Sequence, residues 1–310
     1  MKLQKISIEH LSMKKDKKPK VLWLQAITCN GNTHSFLSAN NNRMRLFLNS
    51  FDLIYHPSLT TDITIKEIIE KKINFDFLLV EGAISSNKEF FSISGYSPYE
   101  MLNILVKRTK YLIAVGSCAS YGGLHAKFEQ NSDIQGIGDS LSAENLYILK
   151  HPVVNLTGCP AHPEWIIQTL FSLKDYGKMA LDEKGRPKEL YYGLAHHGCT
   201  RNEYFEWKVE VKHFGLKEGC LFYEQGCRGP MTHSNCNKIL WNDVSTKTRA
   251  GMPCIGCTEF DFPRENMLET KKNIGIPNEV PLEVSKRAYL SLTGVAKTFK
   301  IGRLNKKLID

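Results

Sequence analysis

The chain has 310 residues, 42% hydrophobic and 24% charged, enough to bury one or two apolar cores and unlike disordered or collagen-like chains. No apolar run approaches the ~18 residues needed to cross a bilayer. The formal net charge of +9 points toward nucleic acid, an acidic partner or an anionic membrane, but it counts nine cysteines as neutral, and each metal-bound thiolate adds a negative charge.

Residues 1–20 form a basic extension with neither the apolar segment nor the paired arginines of an export signal. This predicts a cytoplasmic protein, membrane-associated only through a partner. From residue 21 to 184 the pattern alternates: strands are predicted over 21–26, 51–56, 75–84, 111–116 and 153–156, and helices over 33–48, 62–72, 99–108 and 163–176. The last helix opens on Pro163, whose missing N–H costs nothing in a first turn, with Glu164 on the favourable side of the dipole. Such alternation, with short and nearly continuous apolar strands, implies an α/β fold built on a doubly wound parallel sheet. Cys29 follows the first strand, Glu81 ends the third, Cys118 follows the fourth and Cys159 the fifth. A parallel sheet gathers all four at its carboxyl edge, where such sheets bind ligands. No GxGxxG follows the first strand, so a dinucleotide site is not expected.

Beyond about residue 185 the alternation fades, and six of the nine cysteines fall between Cys199 and Cys257. Irregular, glycine-rich chain of this kind folds around metals rather than a large apolar core. Residues 182–187 read as a turn, and 264–310 as a cysteine-free extension with one helix over 285–299. The odd cysteine count speaks against a disulfide framework. Small neighbours, as in Gly-Ser-Cys, Thr-Gly-Cys-Pro and Cys-Ile-Gly-Cys, let backbone approach a bound object. Spacing divides the cysteines into three triplets, Cys29/Cys118/Cys159, Cys199/Cys220/Cys227 and Cys236/Cys254/Cys257, the second joined by His196. A Cys₃His set and a Cys-x-x-Cys pair also suit zinc. No zinc-finger spacing or stripe of alternating aromatic and basic residues supports nucleic-acid binding, however.

The segments VLWLQAITCNGNTHSF (21–36), VEGAIS (80–85), GSCASYGG (116–123), TGCPAHPEW (157–165), HHGCTRNEYFE (196–206), GCLFYEQGCRGPMTHSNC (219–236) and GMPCIGCTEFDFP (251–263) closely resemble the small subunit of [NiFe] hydrogenases. The resemblance favours iron over zinc and implies a flavodoxin-like domain over 21–184, with a largely irregular iron–sulfur domain over 185–263. It assigns Cys29, Cys118 and Cys159 to a proximal cluster, His196, Cys199, Cys220 and Cys227 to a distal one, and Cys236, Cys254 and Cys257 to a medial [3Fe–4S] cluster. The implied partners are a large subunit carrying the nickel–iron site, an external acceptor protein or quinone-linked partner, and further copies of the heterodimer. No catalytic residue is implied in this chain. The competing readings are an electron-transfer subunit of a complex that does not turn over H₂ and, more remotely, a zinc-dependent nucleic-acid or scaffold protein.

Two departures from the family pattern stand out. Where the family has Cys-x-Gly-Cys, this chain has Cys29-Asn30-Gly31-Asn32. Either Asn32, His34, Ser35 or a folded-in carboxylate completes a proximal [4Fe–4S] cluster, or the cluster is [3Fe–4S]; in the first case with an outside carboxylate, Gly31 and Asn32 serve as left-handed turn residues. The Cys220–Cys227 interval is also one residue longer than usual, through an extra aromatic in Leu-Phe-Tyr. This leaves the distal cluster as [4Fe–4S] with His196 or as [3Fe–4S].

Overall fold

The computed structural model describes residues 17–60, 62–128, 132–268, 272–273, 276–277 and 280–298. The N-terminal extension before residue 17 and the chain after residue 298 lie outside the described residues. Five strands, β1 (Lys20–Gln25), β2 (Asp52–Tyr55), β3 (Phe77–Glu81), β4 (Tyr111–Val115) and β5 (Val154–Leu156), form a parallel sheet in the order β2-β1-β3-β4-β5. This is the flavodoxin-like order, whose reversal falls between β1 and β3. Every residue of β3 and β4 is buried, as a sheet covered on both faces requires. Period-two alternation sends Trp23, Phe77, Leu79 and Ile113 to one face, against Trp165 and Leu170. Leu22, Leu78, Val80 and Leu112 go to the other, against Ile65, Ile68, Met101 and Leu102.

The Pro163–Tyr176 helix runs over its predicted span and stops at Gly177, whose φ of 72° suits a left-handed cap. Predicted 62–72 and 99–108 become Ile65–Glu70 and Pro98–Leu105, each opened by a capping box, Thr64 with Glu67 and Ser97 with Glu100. A 3₁₀ turn, Val106–Arg108, carries the second on. The single helix expected over 33–48 is two, Gly31–Leu37 and Asn41–Ser50. The break lies where Ser38 Oγ donates to the Ser35 carbonyl at 2.8 Å and Asn40 Oδ1 accepts from Asn42 N at 2.9 Å. These local bonds compete with continued helix. Strand β3 ends earlier than expected because Gly82, at φ 102°, turns the chain onto Ile27, leaving no room for a Cβ.

After residue 177 the structure is carried by short pieces, among them Lys188–Tyr191, Ala195–Gly198, Asn202–Glu206, Phe222–Gln225 and Gly229–Met231. The C-terminal helix, Lys286–Thr298, places Tyr289 in a small core with Phe205, Cys220, Phe222, Tyr223 and Met231. Among the described residues no helix is long and apolar enough to cross a membrane.

Candidate metal centres

The loops leaving β1, β4 and β5 bring Cys29, Cys118 and Cys159 to the carboxyl edge of the sheet. Cys29 precedes Asn30, whose φ of 60° starts the Gly31–Leu37 helix. The left-handed residue is therefore Asn30, and Gly31 and Asn32 are helical, which removes the alternative that made that pair left-handed turn residues. Cys118 sits in the Ser117–Tyr121 helix, entered through Gly116 at φ 89°. A Cβ at Gly123 would come within 2.6 Å of the Cys118 Sγ, so glycine is required there. Burial raises the Cys118 thiol pKa, and burial, followed by the thiols of Cys257, Cys118 and Cys29, pushes Cys159 up to about 11.

The four non-cysteine groups considered for the missing corner are placed differently. Asn32 is buried, and its Oδ1 accepts from Ala161 N at 2.8 Å. Ser35 Oγ donates to the Ala161 carbonyl at 2.5 Å, and His34 is exposed. Glu81, fully buried at the end of β3, accepts from Trp23 Nε1 (3.1 Å), Thr28 Oγ1 (3.2 Å), Asn32 N (2.9 Å), Thr33 N (3.2 Å) and Thr33 Oγ1 (2.5 Å). A carboxylate so occupied anchors the helix N-terminus next to Cys29. Glu81→Ala is expected to destabilise the protein by about 3–5 kcal/mol, since it strands several buried donors at once. Thermal unfolding of the purified complex reads this, with Glu81→Gln falling between the two.

The second half contributes two further groups. Cys236, Cys254 and Cys257 line one cavity with Gly158, Trp241 and Lys247. Their loop is fastened to the first half: Ser117 Oγ donates to the Cys257 carbonyl, and Thr157 Oγ1 to the Thr258 carbonyl at 2.9 Å. Arg186, paired with Asp182 at 2.8 Å, also donates to the Thr258 carbonyl at 2.9 Å. His196, Cys199, Cys220 and Cys227 line another cavity with Arg201. The buried Arg201 spans its loops, donating to the carbonyls of Thr248 (2.7 Å), Gly219 (2.8 Å) and Leu216. Asn237 ties in the same region, accepting from Thr246 and Thr248 and donating to the Ala195 carbonyl. Neither Arg201 nor Asn237 was singled out by the sequence; Arg201, two residues after Cys199, carried the only local signal.

Backbone N–H groups point at the thiols: Arg201 N to Cys199 Sγ (3.4 Å), Phe222 N to Cys220 Sγ (3.4 Å), Cys254 N to Cys227 Sγ (3.2 Å) and Gly256 N to Cys254 Sγ (3.4 Å). Burial pushes Cys220 up to about 12 and Cys227 and Cys236 up to about 11, and raises Cys254 as well. Such thiols stay protonated until a cation replaces the proton. Burial, with nearby His197 and Lys208, lowers His196 to about 4, leaving the neutral imidazole that a metal requires. All nine cysteines are unbridged. Among the described residues no three His, Cys, Asp or Glu side chains converge closely enough to hold a single ion. Soft donors with N–H groups aimed at sulfur fit iron–sulfur clusters.

Residues 191–269 match the C-terminal family of NiFe/NiFeSe hydrogenase small subunits, and residues 29–173 match the family of the 20 kDa subunit of NADH–ubiquinone oxidoreductase. The chain is 30% identical over 282 residues to the periplasmic [NiFeSe] hydrogenase small subunit of Desulfomicrobium baculatum, an alignment covering 83% of this chain and 88% of that one. The chain belongs to the NiFe/NiFeSe hydrogenase small-subunit family. It is likewise 29% identical over 257 residues to the periplasmic [NiFe] hydrogenase small subunit of Solidesulfovibrio fructosivorans, covering 79% of each chain. The solved structure of the reduced, active Ni-Fe-Se hydrogenase from Desulfomicrobium baculatum superposes with a TM-score of 0.69 at 30% identity, covering 80% of this chain and 96% of that one. These hydrogenase small subunits overturn the cytoplasmic location expected above, because both named relatives are periplasmic. That expectation rested on the composition of residues 1–20, which does not determine where a folded complex resides.

Proposed function

We propose that the three thiol groups each hold one iron–sulfur cluster and form the path by which electrons leave a partner large subunit. As a hydrogenase small subunit, the chain serves electron relay in H₂ oxidation, with the nickel–iron site in the large subunit. When bound, such clusters accept and release single electrons. The observation that carries the reading is continuity. The Ser117 hydroxyl joins the Cys118 helix to the Cys257 carbonyl, and the Cys254 N–H meets the Cys227 sulfur. These two bonds support a path from the proximal group (Cys29, Cys118, Cys159) through the medial (Cys236, Cys254, Cys257) to the distal (His196, Cys199, Cys220, Cys227).

Three thiols and occupied neighbours support a proximal [3Fe–4S] cluster, three thiols support a medial [3Fe–4S] cluster, and His196 supports a distal [4Fe–4S] cluster. The chain's role is to position, shield and hydrogen-bond the sulfurs. The flavodoxin-like unit over 21–184 presents its carboxyl edge to the large subunit, while 185–263 carries the other two groups. An acceptor protein or quinone-linked partner then takes the electron, in a higher assembly of heterodimers. The match over residues 29–173 favours, as a second reading, relay without H₂ turnover. It spans only the proximal cysteines, which leaves the other six unexplained.

Co-expression with a large subunit separates these readings. The complex should oxidise H₂ and carry iron and labile sulfide, while the chain alone should be inactive toward H₂. A chain that oxidises H₂ alone, or one that binds zinc without sulfide, would overturn the proposal.

A further inference from the structure

Lys247 stands in the wall of the cavity that Cys236, Cys254 and Cys257 share. Gly158 and Pro160, the two neighbours of Cys159, stand in the same wall, so the cavity lies between the medial and proximal groups. Of the described residues that line it, Lys247 alone carries a positive charge. The chain holds this residue from both sides. Thr246 and Thr248 are buried, and each donates its hydroxyl to Asn237 Oδ1, at 2.7 and 2.8 Å. Asn237 is the residue after Cys236, so the clamp ties Lys247 to a medial cysteine. The Lys247 carbonyl accepts from Met252 N at 2.9 Å, and the Thr248 carbonyl from Arg201 Nε at 2.7 Å.

The charge is felt on both sides of the cavity. Burial raises the thiols of Cys159 and Cys236, and the Cys257 sulfur works in the same direction on both. Lys247 opposes this and favours both thiolates. One cation thus acts on a sulfur from each group. The side chain is exposed, so water and salt weaken its field, and its effect is smaller than that of a buried cation.

We propose that Lys247, fixed beside Cys236 and the Cys159 loop, is a shared electrostatic tuning residue that raises the reduction potentials of the medial and proximal groups together. Reduction adds one negative charge to whichever group holds the electron, and a cation beside both stabilises each reduced state. Raising both keeps the step between them closer to level than raising one alone would. This inference rests on the medial and proximal assignments made above.

The test is an EPR-monitored redox titration of the holoenzyme with its large subunit. Lys247→Met, which removes the charge, should shift the medial equilibrium about threefold toward the oxidised form, about 28 mV for a one-electron couple. The proximal midpoint should move in the same direction by less, and the distal one least. Lys247→Glu should shift the medial equilibrium about tenfold, about 59 mV, and Lys247→Arg should leave it where it was. A role confined to packing would not follow this order of charge. An unmoved medial midpoint in Lys247→Glu overturns the inference, and if that variant does not assemble, Lys247→Met decides alone. A medial shift beside an unmoved proximal midpoint overturns the shared role. Cys236→Ser separates this from failure of the assignment: if the signal taken as medial survives that change, the ligand set is wrong. If it is lost there yet unmoved in the Lys247 variants, the tuning role is wrong.

Discussion

Cys254→Ser is expected to reduce acceptor-linked H₂ oxidation by at least about 100-fold, beyond what loss of a supporting group costs a metal site. Cys254 borders two groups at once: it lines the medial cavity, its N–H meets Cys227 Sγ at 3.2 Å, and its carbonyl accepts from Arg228 N at 2.8 Å. Serine keeps the backbone bonds but replaces a soft donor with a hard, poorly ionised one. The fold should survive while the middle of the path is lost. Hydrogen–deuterium exchange by the large subunit should persist, because it needs no long electron path. Measuring both rates alongside the medial EPR signal decides the matter. An unchanged acceptor-linked rate after demonstrated loss of that signal would rule out serial transfer.

Asn32→Cys is expected to convert the proximal site from three irons to four and to lower its reduction potential, since a fourth thiolate adds negative charge. The wild-type geometry argues that Asn32 is not itself a ligand. Its amide oxygen is committed to Ala161 N at 2.8 Å, and its side chain packs against Gly116, where no Cβ would fit. Losing the bond to Ala161 should cost about 1 kcal/mol, small beside a gained iron–thiolate bond. Mössbauer spectroscopy on ⁵⁷Fe-enriched complex counts the irons before and after. Four irons at the proximal site of the unmodified protein would exclude the three-thiol reading.

Much of this was legible in the sequence because it rests on local rules. Apolar runs flanked by helical periods placed the five strands, and strand ends placed Cys29, Cys118 and Cys159 together although 89 and 41 residues separate them. What could not be read depends on contacts between distant segments. Four helices between residues 117 and 148 are four to six residues long, too short for a 3.6-residue period to show. The division of the 33–48 helix turned on two side-chain bonds to nearby backbone. The occupied state of Glu81 depends on Trp23, 58 residues away, and the small core around Tyr223 on Tyr289, 66 residues further along the chain.

The anchoring of the Cys257 loop has a consequence for how the molecule is made. Its fasteners, Ser117, Thr157 and Arg186, all precede it in the chain and hold it from the finished end of the sheet. A ribosome works from the N-terminus, and domains generally fold as units in that order. The earlier part can therefore be standing as a template when the later loop emerges. The reverse is not available, since the loop alone has no ordered surface to close upon. Biogenesis thus has a built-in direction: whatever delivers metal to the last cysteines meets a loop whose fasteners lie at least 72 residues earlier in the chain.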